Sequence, residues 1–432
     1  MKILDIARAA RRAALELASA SSEAKNRALT LMAEEIEKRR DIIKGENRRD
    51  LEAAAKAGLP QPLLARLGLK DSKIDQMIRS LHSLTQLEDP VGKTLLCTEM
   101  DEGLILYKVT CPIGVICAIF EARPDALVQI ASLCIKSGNA VILKGGSEAS
   151  NTNRVLVEAI REALSRVDGV PVDSVQLVET REDVRELLKL DDYIDLIVPR
   201  GSSALVKYVK ENTRIPVLGH TEGICHEYVD VDAEIPMAVK ICYDAKVQYP
   251  AVCNAMETLL VHKDIAERFL PPMYERYREA GVELRGCPRT RKILPDIAEA
   301  TEEDWYTEYN DLILSIKIVD SVEEAIDHIN HYGSHHTDGI ITNNDETARL
   351  FLSKVDSAVV LRNASTRFSD GYRFGFGAEI GISTNKIHSR GPVGLDGLVI
   401  YKYIVWGNGH IVADYVGDHP KPFTHRRLDR TW

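Results

Sequence analysis

Ser137-Gly138-Asn139-Ala140-Val141-Ile142-Leu143-Lys144-Gly145-Gly146-Ser147 is the stretch that decides how this chain folds. Ser137-Gly138 closes an apolar-periodic run, Asp125 to Lys136, in the way a glycine ends a helix. Ala140 to Lys144 is apolar but too short for a helix, so it reads as a buried strand. Gly145-Gly146 then turns the chain, and Asn151 to Leu164 returns to helical spacing. The same alternation extends both ways. Val115 to Phe120 is a buried strand upstream. Downstream come strand Val175 to Val178, helix Glu182 to Leu190, strand Ile194 to Val198, helix Ser203 to Lys210 and a short strand, Pro216 to Leu218. Strands that alternate with helices pair in parallel through right-handed crossovers, which predicts a doubly wound α/β domain.

Further out the pattern changes. Residues 1 to about 90 are helical throughout, and Leu95 to Val109 reads as a hairpin turned at Asp101-Glu102-Gly103. After about Ala233 a second α/β series begins with a helix, Ala233 to Tyr243. Its expected strands are Glu257 to His262, Leu312 to Val319, Gly339 to Thr342 and Ala358 to Leu361. Arg362 to Gly397 is irregular, and ordered loops of that length are usually functional. Leu398 to Val412 is β-like and could pair with the hairpin.

A chain of 432 residues exceeds what one hydrophobic core supports, so two or three domains are expected. A net charge of -10 without single-sign runs argues against nucleic acid as a partner. No apolar run approaches the ~20 residues that span a bilayer, and Asp5 interrupts the amino terminus where a signal peptide would be apolar. Eight cysteines in a chain of this size are no secreted disulfide framework, so a reducing, cytoplasmic location is expected.

Cys253 stands apart from the other seven. It lies in Gln248-Tyr249-Pro250-Ala251-Val252-Cys253-Asn254, a proline-bounded loop between a helix and a strand. A thiol held there is accessible enough to react and rigid enough to aim, which fits a covalent nucleophile. Cys117 and Cys134, inside apolar runs, read as buried hydrophobes. Lys144-Gly145-Gly146-Ser147 and Val198-Pro199-Arg200-Gly201-Ser202 are two strand–glycine–helix junctions, where open α/β sheets bind ligands. Alone each is a weak nucleotide signal. Gly375-Phe376-Gly377-Ala378-Glu379-Ile380-Gly381 lacks dinucleotide spacing and reads as a tight loop. The histidines fall in two groups, His220 with Cys225 and His226, and His328 with His331, His335 and His336. Neither matches a zinc spacing, so no metal is expected. Ser365-Thr366-Arg367 offers donors for a carboxylate or phosphate and reads equally well as a capped turn. Arg123 marks a strand–helix junction, facing a ligand or paired with Glu121.

Taken with Ala325-Ile-Asp-His-Ile329, Tyr332-Gly-Ser-His-His-Thr-Asp338, Phe376-Gly-Ala-Glu-Ile380 and His388-Ser-Arg-Gly-Pro-Val-Gly394, these segments make the chain similar to the aldehyde dehydrogenase superfamily. Within it, the chain resembles the branch that reduces L-glutamyl 5-phosphate in proline biosynthesis. The resemblance covers essentially the whole chain and implies three parts. Residues 1–94 and 111–232 would form a Rossmann-like cofactor domain, with 370–392 returning to it. Residues 233–369 would form the catalytic domain, and 95–110 with 398–417 a β-hairpin oligomerisation arm. It implies Cys253 as nucleophile, and Lys144, Gly145, Gly146, Ser147, Gly201, Ser202 and Glu308 around NADPH. Glu302, Glu303 and Asp304 compete with Glu308. Arg123, Asn254, Ser365, Thr366 and Arg367 are the substrate candidates.

Two departures from the wider superfamily bear on the reaction. Val217 stands where hydrolytic members carry the glutamate that activates water, and Ala122 where they carry the oxyanion asparagine. The implied reaction is NADPH-dependent reduction to L-glutamate 5-semialdehyde through a Cys253 thioester, by a homo-oligomer coupled to glutamate 5-kinase on a separate chain. A hydrolytic NAD(P)-dependent dehydrogenase, a non-catalytic relative and a cysteine redox sensor are the alternatives.

Overall fold

The computed structural model describes residues 2–121 and 123–432, leaving aside the Pro62 side chain. Two parallel sheets and an antiparallel arm organise it. The first sheet has four strands, in the order Val175–Val178, Ala140–Lys144, Val115–Phe120 and Leu196–Arg200. Successive strand residues point to opposite faces, and here both faces are covered. Ile116, Ala118 and Phe120 enter one core with Val141 and Leu143. Val115, Cys117 and Ile119 enter another with Ala140 and Ile142. Each buried aliphatic side chain of this kind contributes about 1.5–3 kcal/mol, and that accounts for unbroken apolar runs. The expected strand Pro216–Leu218 shrinks to one bridge, Ile197 with Val217. Pro216 has no N–H to extend a ladder.

The second sheet has seven strands, in the order Ala298–Glu299, Glu283–Gly286, Ile313–Val319, Met256–His262, Cys225–Val229, Thr337–Ile341 and Val359–Arg362. Every pairing within it is parallel. Cys225–Val229, near its centre, falls on the first-domain side of the boundary expected at 232/233, so the second sheet begins earlier in the chain than the hydrophobic pattern indicates. His226 and Glu227 broke that pattern. Both are fully buried, and the His226 backbone N–H and Nδ1 each bond Asp338 Oδ1 at 2.8 Å.

The hairpin forms as Thr94–Asp101 and Leu104–Pro112, and Val399–Trp406 pairs antiparallel with its second strand. Arg426–Arg427 adds to the first strand, completing a four-stranded antiparallel sheet. Gly381–Ser383 and Gly391–Val393 form a small ribbon. Val393 of this ribbon and Ile380 beside it pack into the first core. Among the described residues no helix is long and apolar enough to cross a membrane.

Candidate active site

The carboxyl edge of the first sheet meets the amino edge of the second. Arg200 ends a strand of the first, Cys253 immediately precedes Met256–His262 of the second, and each lies in the other's electrostatic field. Helix Ile235–Val247 delivers the Cys253 loop. Arg367 Nε donates to Gln248 Oε1 at 3.0 Å on one side of Cys253, and Asn254 Nδ2 donates to the Ser369 carbonyl at 2.8 Å on the other. The Cys225 thiol donates to the Cys253 carbonyl at 3.2 Å. Gly223 closes the back, where a Cβ would stand 2.1 Å from the Cys253 carbonyl oxygen and 2.5 Å from its Cα. Only glycine fits there. The Cys253 backbone is therefore held while its side chain stays half-buried.

Four of the other cysteines are poorly placed for nucleophilic work. Burial pushes Cys117 up to about 12 and drives Cys134, Cys225 and Cys242 up as well, so they stay protonated thiols at neutral pH.

Two histidines crowd the Cys253 sulfur. His220 Nδ1 lies 2.9 Å from the Ile382 carbonyl, which can only accept, so this contact assigns the proton to Nδ1 and leaves Nε2 with a lone pair. Burial lowers the His220 pKa and the Ile382 bond opposes it. His336 is fully buried, with Nδ1 at 2.9 Å from the Thr337 hydroxyl and Nε2 without a partner. The two rings meet edge to face at 4.8 Å.

The residues expected around a cofactor line the first sheet's edge. Lys144 ends its strand half-buried, and burial lowers its pKa. Gly145 has no room for a side chain, since a Cβ would meet the buried Asn153 Nδ2 at 2.2 Å, and at Gly146 a Cβ would displace the Glu148 carboxylate, 1.9 Å away. Ser147 opens a short 3-10 turn. Gly201 and Ser202 precede helix Ser203–Glu211, as a phosphate-binding turn requires. Here the Ser202 N–H already donates to Glu121 Oε2 at 2.9 Å. The lysine, the glycine turn and this helix start are groups that suit a dinucleotide. Glu308 is the acid of its stretch that faces His220; burial raises its pKa, against a bond from the Gly223 amide. Two of its competitors are committed elsewhere, Glu302 to the Tyr332 hydroxyl at 2.5 Å and Asp304 to Arg285 at 2.7 Å.

The substrate candidates divide. Arg367 lies in the field of Cys253, and Arg123 in that of Arg200. Arg123 pairs with Asp125 at 3.0 Å and not with Glu121. Ser365 Oγ caps its own turn by accepting the Arg367 N–H at 3.3 Å, and the Thr366 N–H donates to Glu227 Oε1 at 3.0 Å. Asn254 Oδ1 remains buried without a partner. Val217 presents no carboxylate and packs against the first domain's core, and Glu222 is exposed. Ala122 lies outside the described residues.

Sequence reasoning passed over Arg200 and Glu379, though both stood in quoted motifs. Arg200 Nη1 is buried without a partner near the thiol. Glu379 accepts the Gly371 N–H at 2.8 Å; burial raises its pKa and Arg200 counters.

Residues 1–291 match the model of the aldehyde dehydrogenase family. The chain is 59% identical over 432 residues to the gamma-glutamyl phosphate reductase of Pelotomaculum thermopropionicum, covering 100% of this chain and 99% of that one. The crystal structure of gamma-glutamyl phosphate reductase from Thermotoga maritima superposes with a TM-score of 0.93 at 45% identity, covering 95% of this chain and 100% of that chain. Glyceraldehyde-3-phosphate dehydrogenase from Methanocaldococcus jannaschii, solved with NADP, shares the fold at a TM-score of 0.67 and 15% identity, over 94% of this chain and 94% of that one. The chain belongs to the aldehyde dehydrogenase family, in its gamma-glutamyl phosphate reductase branch.

Proposed function

We propose that this chain reduces L-glutamyl 5-phosphate to L-glutamate 5-semialdehyde and phosphate, the second step of proline biosynthesis, with Cys253 as nucleophile. The observation that carries the reading is a half-buried thiol, fixed by its backbone, between the guanidinium groups of Arg200 and Arg367. The thiolate attacks the 5-acyl carbon, the carbon–oxygen bond to phosphate breaks, and phosphate leaves. Arg200, with Nη1 free of partners, and Arg367 hold the departing phosphate; Arg123 is the third cation in reach. NADPH supplies the hydride that turns the thioester into a thiohemiacetal. Collapse of that adduct returns the sulfur and frees the aldehyde. With Val217 in place of a carboxylate, no base is stationed there to hand the thioester to water.

NADPH over NADH rests on the Lys144 cation beside the Gly145-Gly146-Ser147 turn, suited to a 2′-phosphate. The first sheet then serves the cofactor, with Gly201, Ser202 and Glu308 completing its seat, and the second sheet serves catalysis. The arm exposes Tyr401, Tyr403, Val405 and Trp406 along one strand, which supports pairing with a second copy. Eight free cysteines support a cytoplasmic location, where glutamate 5-kinase would supply the acyl phosphate.

The test runs the reaction backwards, as semialdehyde oxidation with NADP+ or NAD+, with and without phosphate. Strict phosphate dependence and preference for NADP+ are expected. Equal oxidation without phosphate would mean a hydrolytic enzyme and overturn the proposal.

A further inference from the structure

We propose that His220, Cys253 and His336 form a binding site for a thiophilic divalent cation, zinc in the first place, and that the ion silences the sulfur it binds. The three residues come from three separate segments, and one ligand atom from each lies within 4.8 Å of the others. That convergence is what spacing along the chain could not reveal, since each histidine sits in a different cluster of the sequence.

The chemistry of the donors fits. A neutral imidazole whose other nitrogen donates to a carbonyl is the usual state of a metal-ligating histidine, and His220 is held that way by Ile382. His336 keeps a buried Nε2 with no partner, although a buried polar nitrogen without a bond costs about 1–3 kcal/mol. The cysteine supplies a thiolate once its proton passes to solvent, so the Zn–S bond forms with no change of oxidation state. Imidazole and thiolate together select zinc over magnesium or calcium. Three protein ligands leave the fourth tetrahedral position to water. Ligand atoms around zinc stand about 3.3–3.8 Å apart, so the trio must contract by roughly 1 Å. The half-buried Cys253 side chain has that freedom. The Glu308 and Glu379 carboxylates lie in the field of His220, and Glu379 offsets the Arg200 charge.

Binding rests on this geometry alone, whereas silencing rests also on Cys253 being the nucleophile. Cobalt(II) is the probe for the first part. Titrated into the reduced, metal-free full-length protein, it should give a thiolate-to-cobalt charge-transfer band that saturates at one equivalent and is displaced by zinc. Cys253→Ala should abolish the band, Cys225→Ala should keep it, and His220→Asn should weaken cobalt binding at least tenfold. No band, or a band that survives in Cys253→Ala, overturns the site. For the second part, one equivalent of zinc should cut turnover at least tenfold, and a chelator should restore it. A normal cobalt band with undiminished turnover overturns the silencing and points to failure of the nucleophile reading.

Discussion

The two sheets are both parallel and are built on opposite principles. The first is apolar from Val115 to Phe120 and from Ala140 to Leu143, and its functional groups stand only at its rim. The second carries buried polar groups through its middle, among them His226, Glu227, Thr258, Ser315, Thr337 and Asp338. Some of them bind across strands, as when His226 Nδ1 bonds Asp338 at 2.8 Å, and Ser357 donates to Asp338 in turn. Leaving one such group unpaired costs about 1–3 kcal/mol, so the second sheet gains definition at the risk of fragility. A sheet that only positions a cofactor can be held by dispersion and area. One that must aim a thiol benefits from directional bonds.

The sharpest way to break this comparison is Cys253→Ser. Turnover should fall about 10⁴-fold while the melting temperature stays put, because the side chain closes the second sheet's edge without supporting either sheet. Ile142→Ala should do the reverse. The first sheet would lose about 2–5 kcal/mol in urea unfolding, with the rate per folded molecule unchanged. Gly223→Ala drives a Cβ into the Cys253 backbone, so kcat should fall about 100-fold while NADPH binding, read by fluorescence, is retained.

The smallest effect is a pH slope confined to the second sheet's covering helix. Burial, with help from the nearby His226, Lys317 and His331 charges, lowers His328 from 6.5 to about 2. The unfolded chain therefore takes up a proton below about pH 6.5 that the folded chain refuses, and stability declines as pH falls through that window. By pH 5 the loss is about 2 kcal/mol. Urea midpoints between pH 7 and 5 should show it, and His328→Gln should flatten it. An unchanged slope in the variant would assign the pH dependence to other groups.

The same contrast explains what could be read in advance. Ala140 to Lys144 was legible because a strand buried on both faces spells itself out in apolar residues. Cys225–Val229 was not, because Asp338, which satisfies His226, lies 112 positions away. Cys253 stood out through its local loop. Gly223 did not, since its role is a close approach to a backbone 30 residues on, which leaves no local signature. Glu121 looked like an ion-pair partner for Arg123 and instead occupies a helix amide, a bond in which one partner has no side-chain identity. His220 and His336 were noticed and assigned to separate clusters, because only the folded chain brings one to the other.

The pairing of Arg426–Arg427 with the first hairpin strand has a consequence for manufacture in the cell. Thr98 and Glu99 pair with Leu106 and Ile105 on one side and find their other neighbours only in that late segment, and Trp432 then packs its ring against Trp406 and Tyr107. A nascent chain halted before Arg426 carries an open, adhesive strand. A product stalled there announces itself to chaperones and proteases by the edge it leaves bare.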